Sequence, residues 1–270
     1  MILSYDGMKR STFYYQLKCI QKPDKYAELK EVIKSIFLEN KKRYGYRRIT
    51  LELKNRGYKT NHKLVLKLMN QLGLKCEKRK RNKYNSYKGD IGKTAPNIIN
   101  RDFKAAKPNE KWATDVTEFP AIEDKKVYLS PILDMFNGEI ISYNISLHPT
   151  FGQTMDMLDK AFNKVPDTKG IILHSDQGWQ YQMKQYSKCL EQHGIIQSMS
   201  RKGNCLDNAM MENFFGLLKT EMYYGKKYTS VKQLICEIEK YIEYYNNERI
   251  KLRLGGMSPI QYRLHYNDAA

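Results

Sequence analysis

The sequence predicts an α/β protein: a mixed five-stranded sheet with flanking helices, preceded by a small all-helical region. Three observations carry this expectation. Residues 111 to 146 read as three strands in succession, with Asn137-Gly138 between the second and third, a strong hairpin signal. From Phe151 onward, helical and strand-like stretches alternate. The charge is also split. Residues 1–100 hold 25 Lys and Arg against 8 Asp and Glu, and residues 101–270 hold 22 against 21, so almost all of the formal +18 lies in the first hundred residues. A basic half of that kind is suited to a polyanion, by phosphate neutralisation and counterion release. The nearly neutral half is where a separate chemistry is expected.

Residues 1–74 are expected to form the helical region. Between Pro23 and Asn40, the residues Leu29, Val32, Ile33, Ile36 and Phe37 make one helical stripe. A second helix follows Tyr44-Gly45 and stops before Gly57, a natural residue just past a helix end. A third starts at Asn61, a good N-cap, and places Val65, Leu68, Met69 and Leu72 on one face before Gly73. Helix, short glycine-containing break, helix over about 44–74 is the outline of a helix-turn-helix. The outward residues of its last helix, His62, Lys63, Lys67 and Asn70, suit phosphates and base edges. A helical bundle with a solvated basic face is the plainer alternative. Residues 75–106 read as a basic linker, without period and rich in charge. Within it Lys78 and Arg79 are placed to follow a phosphate backbone, with Tyr84 and Tyr87 against sugars or bases.

The core is expected over 107–225. WATDVTEF, KKVYLSPILDMF and EIISYNISL are the first three strands. A helix from about Phe151 to Asn163, the strand GIILHSD, a helix around Tyr181 to His193, the strand GIIQSMS and a long helix from about Asp207 to Met222 complete it. That order is the order of the ribonuclease H-like fold. It puts Asp115 mid-way along the first strand, Asp176 at the end of the fourth, and Glu212 one turn into the last helix, facing the sheet. Carboxylates far apart in sequence then meet at one sheet edge. Hard oxygen donors of this kind suit Mg²⁺, and a pair of such ions can activate an attacking oxygen and stabilise a leaving one.

The neighbours of these residues agree with such a site. Asn208, four residues before Glu212 on the same helix face, can hydrogen-bond a metal ligand or a phosphate oxygen. Asp207 is expected to cap that helix. Trp179, in the loop after Asp176, is placed either to stack on a base or sugar or to cover the core edge. Arg201 and Lys202 before the acidic helix, and Lys219 two turns beyond Glu212, are placed to hold phosphates. Asp134 is read as an ordinary surface or capping carboxylate. In the tail, 226–270, Ser230 and Gln233 form a capping box for a helix whose apolar face (Val231, Leu234, Ile238, Tyr241, Ile242, Tyr245) packs on the core. Ser258-Pro259 starts a further helix. Arg249, Lys251 and Arg253 are read as structural or exposed before DNA-binding.

The strings WATDVTEF, HSDQGWQYQ, SMSRKGNCLDNAMMENFFGLLKTE and YYNNERIKLRLGGMSPIQYR resemble those of OrfB, the catalytic subunit of insertion sequence 3 family transposases. The resemblance runs from about Tyr44 to Arg263. It implies an integrase catalytic core with the acidic triad Asp115, Asp176 and Glu212, and Mg²⁺-dependent cleavage (two ions, Mn²⁺ substituting) at the terminal inverted repeats of an insertion sequence. The freed 3′-hydroxyl then attacks another phosphodiester of the target DNA, with no covalent enzyme–DNA bond. It also implies an upstream OrfA-type subunit or fusion, and a homo-oligomer in the synaptic complex. Lys251 stands where many relatives have His, a departure confined to the tail.

Two other readings remain: another ribonuclease H-like nuclease, which would not need YNNERI…GGMSP, and a non-catalytic DNA-binding protein. A zinc-binding His/Cys module is not expected, since His62 is the only histidine among the first hundred residues. The five cysteines are scattered, which suits free thiols in a reducing cytoplasm. No apolar run reaches membrane-spanning length, and MILSYDGMKR is too short and polar for a signal peptide, so the expected setting is the bacterial cytoplasm, at the nucleoid when DNA-bound.

Overall fold

A computed structural model describes residues 9–20, 23–76 and 94–269. The chain divides into two units, Met1–Cys76 and Glu77–Ala270.

In the first unit, helix α1 (Arg10–Ile20) was not signalled by a clear apolar stripe. Helices α2 (Ala27–Glu39), α3 (Tyr46–Asn55) and α4 (His62–Gln71) follow the expected order. Their apolar stripes meet in one core of Ile33, Ile36, Phe37, Ile49, Leu53, Val65, Leu68 and Met69, closed by the buried Tyr44. The break after α3 is made by Gly57 at φ +85, a left-handed backbone that costs other residues strain. Asn61 caps α4 by accepting the Lys63 N–H at 2.9 Å. Arg56 ties the turn to α2 and α3 through Glu39 and Glu52.

The second unit is built on β1 (Lys111–Thr114), β2 (Thr117–Pro120), β3 (Lys126–Asp134), β4 (Ile140–Ser146), β5 (Ile172–Ser175) and β6 (Ile196–Met199). Both β1 and β2 pair antiparallel with one edge of β3, in a single continuous register, and β4 pairs with the other edge. β5 runs parallel to β1, and β6 parallel to β5. The first predicted strand is thus one strand with a break in it, and the sheet is mixed, with the ribonuclease H-like order. The break falls at Asp115-Val116, so Asp115 lies in an interruption rather than within a strand. The register gives the reason. Thr114 faces Ile132 and Thr117 faces Leu129, which puts Asp115 opposite Pro131. Proline has no N–H to supply to the ladder.

Side chains alternate across this sheet. Trp112, Ile132, Ile141 and Leu173 pack under α5 (Phe151–Lys164) and α6 (Lys184–Gln192). Ala113, Phe119, Val127, Leu129 and Leu133 pack under α7 (Ala209–Leu218) and α8 (Val231–Asn247). The long helix expected from Asp207 to Met222 is three pieces: a 3₁₀ turn over Cys205–Asn208, α7, and a π turn over Lys219–Tyr223. The tail does pack on the core: Leu234, Ile238, Tyr241, Ile242 and Tyr245 of α8 are buried in it. Helix α9 (Pro259–Ala269) has a reciprocal cap. Ser258 Oγ accepts the Gln261 N–H, and Gln261 Oε1 accepts the Ser258 N–H.

Residues 94–106, expected to be linker, are held by this unit. Ile99 is buried in the core, and the Ile98 N–H donates to Ser198 Oγ at 3.0 Å. Asp134 is not on the surface. It is fully buried at the end of β3, where it accepts N–H groups from Asn109 and Phe136. Burial pushes its carboxyl up to about 6, against the pull of those two N–H bonds. Arg249 is neither exposed nor free to touch DNA. It lies buried against Glu221, with Nη2–Oε1 at 2.6 Å and Nε–Oε2 at 2.9 Å. Lys251 donates to the Tyr245 hydroxyl and to the Asn137 and Gly138 carbonyls, clamping the hairpin turn. Among the described residues, Cys76, Cys189 and Cys236 are free thiols, and no helix is long and apolar enough to cross a membrane.

Candidate active site

Asp115 projects from the β1–β2 break, Asp176 follows the last residue of β5, and Glu212 is the fourth residue of α7. β1 and β5 are parallel neighbours, so their C-terminal ends bring the two aspartates side by side. Val116 N–H donates to Asp115 Oδ1 at 2.7 Å, and Gly178 N–H donates to Asp176 Oδ1 at 2.8 Å. One oxygen of each carboxyl is thereby oriented by backbone. Gly178 has a steric reason: a Cβ there would come within 2.9 Å of Asp176 Oδ1 and 2.7 Å of Gln180 Nε2.

Burial holds the Asp115 carboxyl well above its ordinary range, and the charges of Asp176 and Glu212 raise it further. Burial likewise raises Asp176. Three carboxylates that feel one another in a half-buried site are a poor arrangement without a counter-cation. Lys219 supplies part of one: its charge acts on Asp115, and its ammonium lies 5.2 Å from the centre of the Phe119 ring. Burial lowers the lysine's own pKa.

Asn208 was expected to share the helix face of Glu212. It instead precedes α7, buried, and its Nδ2 donates to Thr114 O at 3.4 Å. Its Oδ1 is buried without a hydrogen-bond partner, an unsatisfied acceptor on a side chain bonded to the residue before Asp115. Hard oxygens are the donor set that a divalent ion such as Mg²⁺ selects, and the orphaned amide oxygen fits the same requirement. Among the described residues no three or more His, Cys, Asp or Glu side chains stand together as a group that could hold a metal ion.

Trp179 is 49% exposed and does not cover the core. With Asp115, Asp176, Glu118, Tyr128 and Gln153 it lines an open cleft of about 330 Å³. Lys202 is exposed on the loop before α7. Asp207 is not a helix cap. It is fully buried and accepts from Arg201 Nε, Nη2 and N–H, from Arg101 Nε and from Asn97 Nδ2. Two guanidinium groups bind a carboxylate more strongly than one helix N–H does, and they hold Asp207 well below the usual carboxylate range. Arg201, expected to face phosphate, is committed to this latch. Arg101 and Asn97 were not foreseen at all, since nothing local marks a partner more than a hundred residues away.

His174 also escaped notice. It is buried between Ser198 Oγ and the Asp207 carbonyl, 2.9 Å from each. A carbonyl only accepts, so Nε2 carries a proton, and burial lowers the pKa of the ring. Above the sheet edge, Tyr181 is buried with its hydroxyl 3.5 Å from Thr114 Oγ1.

In the first unit, Lys63, Lys67 and Asn70 share one exposed face of α4 with Leu66 and Gln71. Lys78, Arg79, Tyr84 and Tyr87 lie outside the described residues.

Integrase core domain models match residues 105–205 and 212–266, and an HTH-like domain model matches residues 24–82. The chain is 54% identical over 254 residues to InsK for insertion sequence element IS150 of Escherichia coli (strain K12), covering 94% of this chain and 89% of that protein. It is 33% identical to the transposase InsF for insertion sequence IS3A of the same strain, over 86% of this chain and 80% of that one. This chain belongs to the insertion sequence 3 family of transposases. A DNA transposase with an integrase core is a polynucleotidyl transferase of the type that uses three acidic residues. The solved HTLV-2 integrase catalytic core domain in complex with magnesium aligns at a TM-score of 0.45 and 18% identity, over 58% of the transposase and 98% of that chain.

Proposed function

We propose that Asp115, Asp176 and Glu212 are the catalytic carboxylates of this transposase and hold two divalent ions, Mg²⁺ with Mn²⁺ as a substitute. The observation that carries this reading is the parallel pairing of β1 with β5, which sets Asp115 beside Asp176 at one sheet edge, where the Glu212 charge also acts on Asp115. When bound, the ions would stabilise the charge on the attacking and leaving oxygens of an in-line phosphoryl displacement. The protein's own residues position the reacting groups. Val116 and Gly178 N–H groups orient the aspartates, the Lys219 charge acts on Asp115, and Asn208, bonded to Thr114 O, keeps an unsatisfied amide oxygen. The Arg201–Asp207–Arg101 latch fixes the loop from which α7 begins. Trp179, on the cleft wall, and Lys202 and Lys219 are the core's contacts to the DNA strand.

The reaction is cleavage at the terminal inverted repeats of the insertion sequence, followed by attack of the freed 3′-hydroxyl on target DNA. The exposed face of α4, with Lys63, Lys67 and Asn70, is the duplex-reading surface. Two element ends must be held together, so the working form is a homo-oligomer, joined by an upstream OrfA-type subunit or fusion, in the bacterial cytoplasm at the nucleoid.

A strand-transfer assay with terminal-repeat DNA tests the function: joined products are expected, whereas a plain nuclease would release cut ends only. For the reading surface, Lys63→Ala and Lys67→Ala should each flatten the salt dependence of duplex binding by about one unit of log–log slope. Unchanged slopes for both would remove α4 from the interface.

A further inference from the structure

We propose that the loop 223–228, with residues 120–122, forms a second DNA subsite on the catalytic unit, one that takes an unpaired base and its flanking phosphates. This rests on the transposase reading and extends it to a surface with no assigned role.

The site is an open cavity of about 420 Å³ between the end of β2 and the loop after the π turn. Its wall is rigid. The Tyr223 ring stacks on Tyr228, with centroids 6.1 Å apart and planes 12° apart, and meets Phe119 edge-on at 5.3 Å. The Tyr223 hydroxyl donates to Pro120 O at 2.7 Å, and the Tyr228 hydroxyl donates to Met222 O. Tyr224 then stands edge-on to Tyr223 and is 47% exposed. Gly225, at φ +75, turns the chain so that Lys226 and Lys227, both exposed, follow at the rim.

An exposed ring with adjacent lysines, on a rigid frame, combines the two parts of a single-strand site: a face for stacking and cations for phosphate. The occupant is single-stranded because bases within a duplex are already stacked on both faces and cannot be taken up singly. A cavity of this size admits a base but not a duplex. Position also favours a DNA strand. Residues 101–270 are nearly neutral overall, so two lysines beside an exposed tyrosine are a local feature. The cavity is wired to the active site twice. From Asp115 the chain runs through β2 to Pro120, five residues on, roughly 16 Å of extended chain. On the other side, the Tyr224 N–H donates to Lys219 O at 2.7 Å, and Lys219 is the cation beside Asp115. A strand leaving the carboxylates along this edge would reach Tyr224 a few nucleotides later.

The test measures binding of the full chain to a blunt terminal-repeat duplex and to the same duplex with a short single-stranded extension. Tyr224→Ala should weaken binding to the extended DNA by about tenfold or more, and Tyr224→Trp should restore it. Binding and cleavage of the blunt duplex should be unchanged. Lys226→Ala with Lys227→Ala should lower the salt slope on the extended DNA by about 1.4 units. Equal affinity of wild type and Tyr224→Ala for the extended DNA would overturn the subsite, as would equal losses on both DNAs. If the wild-type chain bound neither DNA, the DNA-binding reading on which the subsite rests would fail, an outcome distinct from loss on the extended DNA alone.

Discussion

Asp115→Asn, Asp176→Asn and Glu212→Gln should each abolish strand cleavage while leaving the fold and duplex binding intact. Each substitution keeps side-chain volume but removes an anionic oxygen. Loss of one ligand forfeits transition-state stabilisation on the order of several kcal/mol, which is a thousandfold or more in rate. Stability should move the other way. Asp115 is raised by burial and by its two carboxylate neighbours, so its ionised form is disfavoured in the folded protein. A carboxyl with a raised folded pKa binds more protons folded than unfolded between the two pKa values. Its stabilising effect is therefore present at low pH and lost as pH rises through the folded pKa. At neutral pH without metal, Asp115→Asn removes that burden, and thermal unfolding should occur at an equal or higher temperature than in wild type. Divalent ions should stabilise the wild type, and the variants less so. A variant that kept a tenth of wild-type cleavage would lose its assigned role.

Glu221→Ala should be among the most destabilising changes in the catalytic unit. The Glu221 and Arg249 side chains are only 9% and 1% exposed and are joined by three hydrogen bonds, with the Tyr241 hydroxyl donating to the same carboxylate at 3.0 Å. Removing the carboxylate leaves a buried guanidinium without its counter-charge, at a cost of about 3–5 kcal/mol. For a unit of this size that is a fall of roughly 6–20 °C in melting temperature. Replacing both residues, Glu221→Leu with Arg249→Met, should recover most of the loss, because two desolvated charges disappear together. A loss below about 1 kcal/mol for Glu221→Ala, read from urea midpoints at constant slope, would contradict the pairing.

The main elements were legible because their apolar periods are strong. The stripes of α2, α4 and α8, and the hairpin at Asn137-Gly138, rest on spacing within a few residues. The carboxylates' places were legible for a related reason: Asp115 and Asp176 stand just past strands, and Glu212 in the first turn of a helix, whose types are clear. What escaped depends on register or on partners distant in sequence. The β1–β2 break requires knowing that Pro131 lies opposite Asp115. Arg249 has a charged, surface-like sequence environment, and only Glu221, 28 residues earlier, makes burial affordable. The sequence marks Arg201 and Asp207 only as phosphate contact and helix cap because Arg101 and Asn97, which complete the buried latch, reach Asp207 from more than a hundred residues away. The same contacts took residues 94–106 out of the linker.

The most direct test of the central claim is the configuration at phosphorus when a terminal-repeat strand carrying a chiral phosphorothioate at the scissile position is processed by the full chain. A carboxylate site that drives direct in-line displacement, with no protein–DNA covalent link, predicts inversion in each displacement, cleavage and joining alike. Retention in either would mean a double displacement through a protein side chain and would contradict the account.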